Sequence, residues 1–355
     1  MPISQAESLH ICLVLTFIFH GSINNSGFAL LIPANVKEVR RKRSDMKTCR
    51  IIIILLSITI LSACAGSNHA IKKSDKTISG IKEIKKGTSL YNEGCYKRSL
   101  EHFLRAHELF VFSDDLRGVA ISMNSVGNVY RATDCISSAI QFFDESCRIF
   151  LYIKDTEGAV QALSNKSAAL IEDDRLEEAS NVLSLAESLA KNNKKLSVTL
   201  LKNRGILLCR EKEFKRAEDI LKRALNKVAP ANFSEIAAIN FALGKLMIET
   251  KRPETAVEYF KEALSADQSS GFIKGIADDL AAIGTVYYTQ YKYELAVNYL
   301  NRSIKIYALI ENENKVNEIM EILNKSSEKA EINISLTKNF IKKWLEGNSF
   351  KNLCD

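Results

Sequence analysis

INFALGKLMIETKRPETAVEYFKEAL, residues 239–264, decides the fold. Apolar residues recur at helical spacing on both sides of a short break at Thr250 to Arg252. Leu243, Met247 and Phe260 are large, whereas Gly244, Ala256 and Ala263 are small. Two helices can approach to about 8 Å only where side chains are small. The stretch therefore reads as a helical hairpin with a glycine in its first helix facing an alanine in its second. Pro253 suits the first turn of that second helix.

The pattern recurs. The first-helix position is occupied by Gly87, Gly127, Ser167, Gly205, Gly244 and Gly284, at intervals of 40, 40, 38, 39 and 40 residues. Twelve residues after each stands Ser99, Ala139, Ala179, Ala217, Ala256 or Ala296. Four further on, Phe103, Phe143, Leu183, Leu221, Phe260 or Leu300 is expected to fill the space beside the crossing. A third small residue follows (Ala106, Ser146, Ala186, Ala224, Ala263, Ser303) and is expected to let the next repeat dock. Gly94, Asp134 and Asp173-Asp174 mark turns between paired helices, and Pro230 marks the loop entering the fifth pair.

This constellation resembles the tetratricopeptide repeat (TPR), a helix–turn–helix unit whose standard length is 34 residues. The surplus here implies helices about one turn longer, as in the long-helix repeats of kinesin light chains and bacterial peptide-responsive regulators. The resemblance implies an all-α fold, a right-handed superhelix (α-solenoid) of six repeats with a wide groove. The repeats are expected at about 80–119, 120–159, 160–197, 198–236, 237–276 and 277–311. Capping helices are expected over 312–355, because a solenoid needs a solvating end. Within them, Lys315 to Ala330 and Leu336 to Leu345 read as helices, with Trp344 packed on the cap.

The N-terminal part carries an address. Lys47 and Arg50 precede the apolar run IIIILLSITIL at 51–61, and Leu61-Ser62-Ala63-Cys64 follow. A basic segment, a short apolar run and small residues before a cut describe a secretory signal over 46–63. The run is shorter than the roughly 20 residues of a membrane span. The LSAC tetrad resembles a bacterial lipobox, which implies lipidation at Cys64. Ala65 in place of an aspartate implies the periplasmic face of the outer membrane. Met46 opens a complete signal, so residues 1–45 are expected to be an over-extended, disordered N-terminus. Polar residues 64–79 read as a flexible tether.

The 355 residues carry a formal net charge of +7. Residues 1–63 hold seven of the basic and three of the acidic side chains, and the remainder is nearly balanced at +3. That balance gives no electrostatic case for nucleic acid. His102 and His107 lie five apart and lack the i, i+4 metal spacing. No nucleophile elbow, phosphate-binding glycine loop or paired-carboxylate pattern stands out, so no enzyme, cofactor, metal or small-molecule substrate is expected. Cys95 and Cys135 occupy equivalent turns. Stacked helices keep such positions roughly 10 Å apart, which is too far for a disulfide.

By the resemblance, first helices line the groove. The face includes Tyr91, Asn92, Asn124, Asn128 and Arg131 from the first two repeats. Asn165, Lys202, Asn203 and Arg210 come from the middle of the array, and Phe241, Lys245, Thr285 and Tyr288 from its end. The asparagines at 124, 165 and 203 can hold a peptide backbone by a donor and an acceptor. The expected function is a lipid-anchored scaffold binding protein or peptide partners in envelope, pilus or secretion assembly. The alternative is a peptide-responsive TPR regulator.

Overall fold

The computed structural model describes residues 74–190 and 193–346. The signal, Cys64 and residues 1–73 generally lie outside the described residues. Among the described residues there are fourteen α-helices and no strands. Six consecutive hairpins are formed by α1/α2 (Asp75–Asn92, Tyr96–Phe112), α3/α4 (Leu116–Ala132, Ile136–Tyr152), α5/α6 (Thr156–Glu172, Leu176–Ala190), α7/α8 (Lys194–Arg210, Phe214–Lys227), α9/α10 (Phe233–Glu249, Pro253–Ser270) and α11/α12 (Ile273–Thr289, Tyr293–Leu309). The cap consists of α13 (Glu313–Lys329) and α14 (Ser335–Leu345). Most helices are 17 residues long and most connections are three. Two such helices and two such turns make the 40-residue period.

The described three-residue turns share one construction. Their middle residue takes left-handed φ, as at Asp134 (60°), Lys154 (59°) and Lys212 (64°). The next N–H then reaches back to close a six-residue ring, Cys135 to the Tyr130 carbonyl at 2.9 Å and Asp155 to that of Phe150 at 2.8 Å. This geometry satisfies carbonyls left open at a helix end. Asp115 and Asp155 then cap the following helices by accepting from Gly118 and Gly158 N–H. Pro253 opens α10, as expected.

Two registers differ from the sequence expectation. Helix α1 begins at Asp75, inside the stretch read as tether, because Ser74 caps it by accepting from Thr77 N–H. The first helices of repeats two to six start four residues before each expected boundary. The small-residue anchors sit mid-helix, and windows drawn from them begin too late.

Packing at the crossing is tighter than expected. A Cβ on Gly87 would lie 2.6 Å from the Phe103 ring, and one on Gly244 2.5 Å from the Phe260 ring. The glycine thus accommodates the large residue sixteen positions on. The small residue twelve on also meets it: Ser99 donates its hydroxyl to the Gly87 carbonyl at 2.8 Å. All six residues of that second series are fully buried.

The third small residue does a different job from the one expected. At Ser146 and Ser303 it binds its own repeat, donating to the Ala120 and Ala277 carbonyls at 2.9 and 2.7 Å. Docking of the next repeat falls to the residue four positions on. Phe110 packs under Gly80 and Gly118, and Phe150 under Gly158.

Cys135, Cys147 and Cys209 are free, so no bridge joins Cys95 to Cys135. Cys95 is nonetheless disulfide-bonded. In the cap, Trp344 packs beside Phe340 with ring centroids 5.5 Å apart. Thr337 of α14 donates to Asn301 of α12 at 2.8 Å. His102 pairs with Glu83 and His107 with Ser122, which ties both histidines to neighbouring helices.

Candidate binding cavity

The superhelix curves until its first repeat meets its sixth. Tyr91 on α1 stacks on Phe272 at the entry to α11, with centroids 6.4 Å apart and rings 10° from parallel. Tyr96 sits edge-on to Tyr91 at 5.4 Å. In the α1–α2 turn, Gly94 has φ 81°, and a Cβ there would lie 3.1 Å from Ile310. Both the left-handed backbone and the short distance at this contact favour glycine. The groove expected from the long repeats is bridged by these contacts between its first and sixth repeats.

That groove holds a cavity of about 460 Å³, lined by first helices of repeats two to six. Its size falls in the range of sites that enclose a drug-sized ligand. Of the residues named from the sequence, Arg131, Asn165, Lys202 and Asn203 line it, as do Arg210, Phe241 and Lys245. Tyr91 lies at the closing contact, and Asn124 supports the wall by accepting from the Asn165 amide at 3.0 Å. Asn128 and Tyr288 are not among the lining residues. Tyr288 packs near Tyr293 instead.

Several of these side chains are already engaged. Asn203 is buried, and its amide donates to the Ser164 carbonyl at 2.8 Å and to the hydroxyls of Ser164 and Ser167. Lys202 pairs with Glu235 at 3.0 Å, and Arg210 with Asp174 at 2.8 Å. Lys245 is exposed and has no ion-pair partner among the described residues. The lining also carries acids that the sequence reading did not single out.

Those acids are Asp267, Asp278 and Asp279, at the seam of α10 and α11. Asp279 is 1% exposed. Burial, and then the charge of Asp267, push its carboxyl up to about 9. Burial likewise pushes Asp267 up to about 7, with the charge of Asp278 adding to it. Asp278 is held by Lys274 at 2.7 Å and accepts from the Tyr307 hydroxyl. The Tyr96 hydroxyl is buried without a hydrogen-bond partner among the described residues, and its pKa is pushed far up by that burial. The signal for the acids was available in the repeat register. Asp267 stands where repeats one and two have Phe110 and Phe150, and Gly275 stands where they have Gly118 and Gly158.

The tetratricopeptide repeat profile matches residues 237–270, within the fifth hairpin. No curated protein sequence matches the chain. Among solved structures, a Rap protein complexed with competence and sporulation factor superposes with a TM-score of 0.52 at 14% identity. That match covers 72% of this chain and 78% of the other. The Rap conjugation gene regulator of plasmid pLS20, in complex with the Phr* peptide, gives 0.52 at 12% identity, covering 81% and 82%. A signal transduction ATPase with a tetratricopeptide repeat sensor from Pyrococcus horikoshii gives 0.50 at 14%, covering 71% of this chain and 45% of that one. The described residues form an all-helical array of hairpins, and the fifth of these hairpins matches the tetratricopeptide repeat profile. The array has 17-residue helices, and its first and sixth repeats meet beside a cavity lined by the helices between.

Proposed function

We propose that the chain is a lipid-anchored, non-enzymatic receptor for a short extended segment of a protein or peptide, held inside this cavity. The observation that carries this reading is the Tyr91–Phe272 closure beside a space of about 460 Å³. A cavity of that size suits a few residues of extended chain better than a folded surface. Phe241 supplies an apolar wall, and Asn165, which binds Asn124 and Gln161, keeps a second amide hydrogen and a second carbonyl lone pair for a backbone. Two structural neighbours, a Rap protein with competence and sporulation factor and a Rap regulator with the Phr* peptide, are peptide or factor complexes. Their likeness supports the reading at the level of fold.

The lipobox-like LSAC at 61–64 supports anchoring at Cys64 in the cell envelope, on the periplasmic face of the outer membrane. There the protein acts as an adaptor in envelope, pilus or secretion assembly. A peptide-responsive regulator is the second reading, and it is favoured by the same closure, since an occupant between repeats one and six could shift it.

Two experiments test the reading. A photo-cross-linking residue at Phe241 is expected to trap a short segment of a partner in cells. Trapping only of partner surfaces with no extended segment overturns the cavity reading. Fractionation of Cys64→Ala is expected to release the protein from membranes, and its retention there overturns the anchor.

A further inference from the structure

The acid seam has features that packing alone does not require. In repeats one and two the slot beneath the next repeat's glycine is filled by Phe110 and Phe150. In repeat five the same slot holds Asp267, whose Oδ2 would be 1.9 Å from any Cβ on residue 275. A buried carboxylate in an aromatic slot is costly unless something compensates for it. Its neighbour Asp279 is almost fully buried and hydrogen-bonds Asp267 carboxyl to carboxyl, while its Oδ2 meets no donor among the described residues. Both carboxyls line the cavity. Lys274 is committed to Asp278 and Lys202 to Glu235, and Lys245, unpaired among the described residues, is exposed on the α9 wall.

Resting on the peptide-cavity reading above, we infer that the Asp267–Asp279 pair is the specificity site for one organic cation of the bound segment, an N-terminal amine or a Lys or Arg side chain. Ammonium and guanidinium groups offer only donors, which is what an unpartnered carboxylate oxygen lacks. In the empty site the acids, with Asp278 beside them, hold one another partly protonated; an arriving cation favours their ionised form. Phe241 and Asn165, on other walls of the same cavity, remain available for the rest of the segment.

The test uses the full chain and small probes in ligand-observed NMR titrations. N-acetylarginine amide presents only a side-chain cation, glycinamide only an N-terminal amine, and N-acetylglutamine amide neither. At least one of the two cationic probes is expected to bind, and the neutral one is not. Which cationic probe binds assigns the source of the cation. Asp279→Asn is expected to weaken binding at least about tenfold, the loss of one charge-assisted hydrogen bond. The same variant should unfold at an equal or higher temperature at neutral pH, because folding no longer has to protonate that carboxyl. No binding at millimolar probe, equal binding of the neutral probe, unchanged binding in Asp279→Asn, or displacement of the probe by calcium chloride overturns the inference. Cross-linking from Phe241 is scored separately in Asp279→Asn. A trapped segment with no cation preference defeats this inference alone, whereas no trapped segment in either protein defeats the cavity reading too.

Discussion

Replacing Gly244 by alanine is expected to destabilise the protein, against the usual effect of that change in a helix. An alanine in a helix interior is favoured over glycine by about 1 kcal/mol. Here the added Cβ would lie 2.5 Å from Cε1 of Phe260, 2.6 Å from Cδ1 and 2.9 Å from Cζ. The ring cannot simply retreat. Phe260 is buried, and Phe241 packs beside it with centroids 5.4 Å apart. Overpacking a filled core costs about 1–3 kcal/mol, so the net loss is up to about 2 kcal/mol after the propensity gain of about 1 kcal/mol. The array itself supplies the rescue. Repeat three carries Ser167 at this position, over Leu183, and both are fully buried. Gly244→Ala combined with Phe260→Leu should therefore lose less than the sum of the two single changes. Urea unfolding of the four proteins measures this. A stabilised Gly244→Ala, or strict additivity in the double variant, would refute the packing argument.

The acid seam makes stability depend on pH. The Asp267 and Asp279 carboxyls are raised from 3.8 to about 7 and about 9, so their contribution is complete below pH 4 and is lost as pH rises through 7 and 9. Each unit corresponds to about 1.4 kcal/mol, so the melting temperature should fall clearly between pH 6 and 9. Asp279→Asn should flatten that profile and melt higher at pH 8, and a wild-type profile without slope would contradict the burial argument. Lys212 and Tyr291 adopt φ 64° and 60° in their turns. Lys212→Gly and Tyr291→Gly should each add about 0.5–1 kcal/mol by relieving that conformation, read as a higher urea midpoint.

The repeat fold was legible because its constraint is local. A small residue, a fixed interval of twelve and a large residue four further on recur wherever two helices must touch, whatever the rest of the chain does. The turns were legible at Gly94, Asp134 and Asp174 for the same reason. The closing contact was not. Tyr91 and Phe272 lie five repeats apart, and their meeting depends on small rotations summed over the intervening hairpins. Without that closure, first-helix residues along the whole array look equivalent. The structure instead separates Lys202 and Phe241, which line the cavity, from Asn128 and Tyr288, which do not. Asn203 illustrates another limit. Its side chain reads as a peptide grip, yet its amide is spent on Ser164 and Ser167 of the preceding repeat. Asp267 could have been noticed, since the aromatic-to-acid change at its register is visible once the repeats are aligned.

The account turns on the superhelix closing upon itself, and a double-mutant cycle across the closing contact tests that most directly. Tyr91→Ala, Phe272→Ala and the double variant would be unfolded in urea beside the wild type. Stacked rings 6.4 Å apart predict a coupling of about 0.5–1.5 kcal/mol between the two changes. Additive effects, with no coupling, would mean that the first and sixth repeats stand apart and that the cavity is an open groove.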